Sequence, residues 1–278
     1  MGPSGRPEAE PDWWHRLDFV PAAREGCQLA STAFTMASIT MPLLGAFTRG
    51  AMAIQKVTPA DVLGTLNPFE AKHAPSALYL AGDRGLFARG PKLSVVGSRK
   101  ASPEGLRRAR KLAARIVRAG GVVVSGLAEG IDSAAHTAAI EAGGKTIAVL
   151  GSSLDQPYPV SNIALFREIV EHHLAVSQFP AGTPTQPKNF VLRNRTMALL
   201  SDATVIVEAG GKSGTVHQGW EAIRLGRPLF LLESLAENPD LSWPAEMIHY
   251  GAEILSDENL IAILEELPSG FLLDAAAF

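Results

Sequence analysis

From residue 93 onward, short β-branched runs alternate with longer helical patterns, and this alternation limits the possible folds more than any other feature. Leu93–Val96, Val122–Ser125, Thr146–Leu150, Leu174–Gln178, Ala203–Val207 and Pro228–Leu232 read as strands. Helical stretches lie between them near 103–118, 131–142, 161–170, 193–200 and 214–225. Strand, helix, strand at this spacing implies right-handed crossovers and a mostly parallel sheet covered on both faces. The expected fold class is α/β, a doubly wound, mostly parallel sheet of extended Rossmann-like type. Such sheets bind ligands at the carboxyl ends of their strands, so function is to be sought in the loops there.

Those loops are rich in glycine, hydroxyls and cations. The first strand runs into Gly97-Ser98-Arg99, with Ser102, Pro103 and Gly105 opening a helix. Glycine lets a phosphate approach the backbone, free amides at a helix start favour an anion, and an arginine grips phosphate at two points. The same residues also make a tight turn with Ser102 as helix cap and Pro103 at the first helical position. The next loop, Ser125-Gly126-Leu127-Ala128-Glu129-Gly130-Ile131-Asp132, is a second array of amides. Asp132 and His136, four apart, share a helical face and with Ser125 sketch a nucleophile triad, but Val123 and Leu127 stand where a hydrolase elbow needs glycines. Gly144-Lys145-Thr146 and Gly211-Lys212-Ser213 imitate the end of a triphosphate loop, yet Ala139 and Ile206 replace its first glycine, so no ATPase is expected. A fifth loop sets Lys188, Arg193 and Arg195 around Phe190 and Asn194, cations around a ring that can stack on a base. Beyond it, Gly210-Gly211-Lys212-Ser213-Gly214-Thr215 makes a further Gly-rich turn into a helix.

The net charge of −3 argues against bulk attraction to nucleic acid, but it is a cancellation. Residues 84–118 hold eleven basic residues against Glu104 alone, and no Lys or Arg follows Arg227. A basic site edge and an acidic last fifty residues are expected, although the cations of 103–118 also fit a solvated helix face. The single cysteine, Cys27, excludes an internal disulfide framework and a four-cysteine zinc site, and fits a cytoplasmic location. Gly26 to Thr48 carries no charge, but seven Ser, Thr or Gln residues and Pro42 dilute it below the density of a membrane span. The expected layout is a disordered 1–12, a helical N-terminal region over 13–74, the Rossmann-like domain over 75–267 and a tail over 268–278.

Several strings carry a resemblance. Val95-Val96-Gly97-Ser98-Arg99, Ser125-Gly126-Leu127-Ala128 with Gly130-Ile131-Asp132 and Ala135-His136, and Ala148-Val149-Leu150-Gly151 with Leu154-Asp155, Tyr158-Pro159 and Asn162 are three of them. Arg193-Asn194-Arg195, Val207-Glu208-Ala209 and Ser213-Gly214 follow in order, after a lead-in of Ala77-Leu78-Tyr79 and Gly82-Asp83. Together they resemble the DNA-processing protein A (DprA/Smf) family over some two thirds of the chain. The resemblance implies a homodimer that binds single-stranded DNA, without a catalytic step, cofactor or metal, and hands it to a RecA-type recombinase in natural transformation and DNA recombination. The residues it places along the strand are Gly97, Ser98, Arg99, Gly126, Lys188, Phe190, Arg193, Asn194, Arg195, Ser213 and Gly214, and the loop chemistry adds Ser102 and Ser125. Two departures stand out: Val191-Leu192 follows Phe190 where the family has proline, and Leu232 runs into Glu233-Ser234 where it has Pro-Gly. No winged-helix pattern is expected after an acidic helix over 256–267, and no clear helix-hairpin-helix pattern precedes the domain.

Two alternatives use the same loops. A nucleotide-signal-binding sensor would need only their amides. A nucleoside-monophosphate phosphoribohydrolase would share Gly210-Gly211 and Ser213-Gly214-Thr215, but it needs a nearby glutamate where this chain has His217 and Gln218, with Glu208 and Glu221 off-register.

Overall fold

The computed structural model describes residues 52–211 and 213–267. The expectations for 1–51, including the uncharged Gly26 to Thr48 segment, and for 268–278 fall outside them. Among the described residues no helix is long and apolar enough to cross a membrane.

Among the described residues nine strands form one sheet: β1 (Gln55–Val57), β2 (Leu78–Gly82), β3 (Lys92–Gly97), β4 (Val122–Ser125), β5 (Thr146–Leu150), β6 (Leu174–Ser177), β7 (Ala203–Glu208), β8 (Leu229–Leu232) and β9 (Glu253–Leu255). Their spatial order is β1-β2-β6-β5-β4-β3-β7-β8-β9. The seven from β6 to β9 in that order run parallel, whereas β2 pairs antiparallel with both β6 and β1. From β3 the chain winds outward first through β4, β5 and β6, then returns to add β7, β8 and β9 on the other side. That reversal opens a crevice at the carboxyl ends of β3 and β7.

The helices are α1 (Ala60–Leu63), α2 (Pro68–His73), α3 (Pro103–Arg118), α4 (Ile131–Glu141), α5 (Ile163–His172), α6 (Pro187–Leu199), α7 (Gly214–Arg224), α8 (Glu233–Ala236), α9 (Trp243–His249) and α10 (Leu260–Glu266). Strand side chains alternate between two cores. Leu93, Val95, Val123 and Val205 face Ala109, Leu112 and Ile116 of α3 and Ala135 and Ala139 of α4. Val122, Val124, Val149 and Ile206 face Met197 and Leu199 of α6, Ala222 of α7 and Met247 of α9. Burial on both faces explains why the strands read as unbroken apolar runs, each fully buried Val, Leu or Ile contributing roughly 1.5–3 kcal/mol.

The core strands and helices stand where the alternation puts them, and three expectations change. The region 13–74 was expected to be helical, yet its described end also contributes β1, which pairs with β2 at the sheet edge. Residues 188–192 are not a loop: α6 begins at Pro187, which sits at the first helical position where its missing N–H costs nothing. The acidic helix is confined to Leu260–Glu266, and the residues before it form a turn in which the Asn259 side chain accepts from Ser256 N–H and donates to the Ile254 carbonyl.

Candidate nucleic-acid interface

Residues from three strand ends and from α6 meet at the carboxyl edge. Arg99, in the loop after β3, is exposed, and its guanidinium carbon lies 5.3 Å from the centroid of the Phe190 ring. Phe190 is half-buried on the first turns of α6, and Tyr158 lies 5.6 Å from it at 58°. Gly151, just after β5, makes room for this ring, since a Cβ there would fall 2.5 Å from it. Tyr158 remains 47% exposed, so it is the open ring of the pair. Gly97, Ser98, Arg99, Gly126, Phe190 and Arg193 thus converge, with Tyr158 as a member that charge and loop reasoning missed. Its only signal was the Tyr158-Pro159 string after Gly151.

The loop after β4 frames the cluster from within. Arg193 is 5% exposed and donates through Nη1 to the carbonyls of Gly126 (2.6 Å) and Val149 (2.9 Å), and through Nε to Asn194 Oδ1 (3.1 Å). Buried Asp132 accepts from the amides of Gly126 (3.1 Å) and Ala128 (3.4 Å). Burial raises the Asp132 carboxyl above its usual range, opposed by the Arg193 cation and those two amides. Burial likewise lowers Arg193, with Asp132 opposing and the Arg99 charge adding to the effect. An arginine held this way fixes a loop rather than gripping a ligand. Ile131 N–H then donates to the Ser98 carbonyl (3.2 Å), so the second loop supports the first.

Other expected site residues are committed elsewhere. Ser125 is buried and its hydroxyl donates to the Val95 carbonyl (2.7 Å), which removes it as a ligand or nucleophile. The Ser102 hydroxyl caps α3 by accepting from Gly105 N–H (2.9 Å) and bonds the Glu208 carboxylate, which also accepts from Ser102 N–H (2.9 Å). Arg195, two positions beyond Arg193 on α6, faces α7 and pairs with Glu221 (2.7 Å). Asn194 donates to the Gly214 carbonyl (3.0 Å), tying α6 to the start of α7. At that start Gly214 is exposed, while the Ser213 hydroxyl is buried and has no hydrogen-bond partner among the described residues. Lys188 is exposed on the first turn of α6, with no ion pair among the described residues.

Catalytic geometry is missing from the groups that might have supplied it. The Thr146 hydroxyl donates to the Val123 carbonyl (2.8 Å), so its bond to His136 Nδ1 (2.6 Å) makes Nδ1–H the donor. Burial, with smaller contributions from His173 and Arg193, lowers the imidazole to about 3, so His136 is a neutral core residue. Glu208 and Glu221, the carboxylates a glycosidic hydrolysis would need, are bound to Ser102 and to Arg195 and Arg224. Among the described residues no group of three His, Cys, Asp or Glu could hold a metal.

Five of the eleven basic residues in 84–118 are paired on α3, with three carboxylates. On α3, Arg107 and Arg108 pair with Glu104, Arg110 with Glu141, and Lys111 and Arg115 with Asp257. The sequence profile of the family described as DNA recombination-mediator protein A matches residues 60–268. The chain belongs to this family. The DNA processing protein DprA of Bacillus subtilis (strain 168) is 35% identical over 195 residues, 70% of this chain and 65% of the relative. The Smf protein of Synechocystis is 36% identical over 77% of this chain and 55% of its own length. The match therefore spans less than two thirds of both relatives. Among solved structures, the DNA processing protein A of Streptococcus pneumoniae superposes with a TM-score of 0.65 at 32% identity, covering 75% of this chain and 74% of that one. The Helicobacter pylori protein, whose structure concerns its single-stranded DNA binding mode, gives 0.65 at 27% identity and covers 77% and 97%.

Proposed function

We propose that this member of the DNA recombination-mediator protein A family captures single-stranded DNA without catalysis at the carboxyl edge of its sheet. The observation that carries the reading is the Arg99 guanidinium beside the Phe190 ring, with the exposed ring of Tyr158 next to it. A cation next to an open aromatic surface holds a phosphate and an unstacked base together, and a duplex offers no unstacked base. Phosphates would be held by Arg99 and Lys188, and further along by the exposed Gly214 at the start of α7. Arg193, Asn194 and Gly126 shape the track from beneath.

Resemblance to the DprA/Smf relatives extends the proposal to delivery of the strand to a RecA-type recombinase by a homodimer. In support of the dimer, β9, the outermost strand on its side of the sheet among the described residues, carries exposed Ile254, with exposed Ile248 and Tyr250 before it and Ile261 after it. Competition between a labelled oligothymidylate and unlabelled duplex of equal length tests the core claim. The strand should resist duplex competitor, and Phe190→Ala should weaken strand binding by roughly 5- to 150-fold, the range of one base–aromatic stack. Equal competition by duplex, or an unaffected Phe190→Ala protein, would refute the reading.

A further inference from the structure

At the carboxyl ends of β3 and β7 the order of the sheet reverses, the place where dinucleotide-binding sheets seat a pyrophosphate on a helix start. In this chain a side chain already fills that place. Glu208 is the last residue of β7, and its own carbonyl is pinned by Ser98 N–H at 2.7 Å. Its carboxylate crosses the crevice to α3, takes the Ser102 amide (2.9 Å) and binds the Ser102 hydroxyl. Gly105 is the third contributor, because a Cβ there would stand 2.3 Å from Glu208 Oε2, so only glycine lets the carboxylate seat. Three features of the α3 start, an amide, a hydroxyl and an absent side chain, serve one internal anion.

We propose that Glu208 is a specificity-determining residue: a built-in anion that closes the crossover crevice to the phosphate of a free nucleotide and leaves the site to a polymer strand held at Arg99 and Phe190. The inference rests on the single-strand reading for what is admitted, but its exclusion part stands on the crevice alone. A phosphate brought to the same amides would lie about 4 Å from the carboxylate. At an effective dielectric of about 20 that repulsion is on the order of a thousandfold in affinity. The Glu208 carboxylate likewise disfavours a sensor that seats a nucleotide phosphate on α3.

The test has two arms. In the first, inorganic phosphate is titrated into wild type, Glu208→Ala and Glu208→Gln, and the amide resonances of Ser102 and Gly105 are followed, with circular dichroism confirming the fold. Saturable shifts in a folded, charge-removed variant, with wild type unmoved, are expected. Glu208→Gln keeps an acceptor for Ser102 and carries this arm if Glu208→Ala does not fold. Unmoved amides in a folded variant, or equal shifts in wild type, overturn the proposal. In the second arm Glu208→Gln should tighten oligothymidylate binding by about threefold, since one like charge leaves the rim within a Debye length of the strand, and weaker binding counts against it. If wild type binds no single strand at all, the functional reading falls, while the phosphate arm, which contains no DNA, still decides the role of Glu208.

Discussion

Arg99 and Arg193 meet in one cluster with different neighbours: Arg99 is exposed beside the Phe190 ring, whereas Arg193 is buried against two backbone carbonyls and Asp132. Their substitutions should therefore separate. Arg193→Ala leaves the buried Gly126 and Val149 carbonyls without their donor, and urea unfolding should show a loss of about 1–3 kcal/mol. Arg99→Ala should leave the urea midpoint in place and weaken strand binding. Gly151→Ala should act on the ring instead. A Cβ 2.5 Å from Phe190 forces it to move, so strand affinity should fall several-fold, and an unchanged affinity would show that the ring position does not matter. Sequence reasoning grouped Arg99, Arg193 and Arg195 because residue type is legible and burial is not. It passed over Tyr158 because a lone tyrosine in a loop has no periodic signature. Ser125 and Ser102 misled for a related reason: a serine at a strand end reads as a free donor until the Val95 carbonyl and the Glu208 carboxylate are seen to take it.

α3, α4 and α7 were legible to within a residue or so, because an amphipathic period between two apolar runs constrains both ends of a crossover. β1, β2 and β9 were not, since short edge strands are specified by partners distant in sequence rather than by their own pattern. α6 was read six residues late because Phe190 and Val191 favour strands, and the Pro187 start signal outweighs them only once Arg193 and Met197 pack inward. A pH prediction belongs to α4, which holds His136 in the core. Its imidazole titrates near 3 when folded against 6.5 in the open chain, so the unfolded state binds the extra proton between those values. The stability this group contributes is complete above pH 6.5 and is lost as pH falls toward 3, by up to about 1.4 kcal/mol per pH unit. Denaturant titrations should show that slope in wild type and its loss in His136→Gln. Parallel slopes in the two proteins would mean that His136 is not held neutral.

On the scale of the whole molecule, the basic excess of residues 84–118 is offset only in part by the acids that the fold brings to it. Glu104, Glu141 and Asp257 pair with five of the cations on α3, three carboxylates against five cations, and two of those acids, Glu141 and Asp257, come from the acidic part of the sequence. Whether those cations belong to a solvated helix face or to the site edge is decided by contacts that only the fold creates. Replacing Arg107 and Arg110 together by Gln should leave strand affinity within about twofold, because exposed ion pairs contribute little and neither residue lies at the carboxyl edge. Electrostatic capture then rests on a few charges at that edge, Arg99 foremost. Fluorescence anisotropy of a labelled oligothymidylate, from about 50 to 200 mM salt with wild type and Arg99→Ala, tests this most directly. Strand binding should show a log–log salt slope smaller by about 0.7 in the variant, the loss of one phosphate contact on a single strand. Identical slopes in the two proteins, or no binding at the lowest salt, would contradict it.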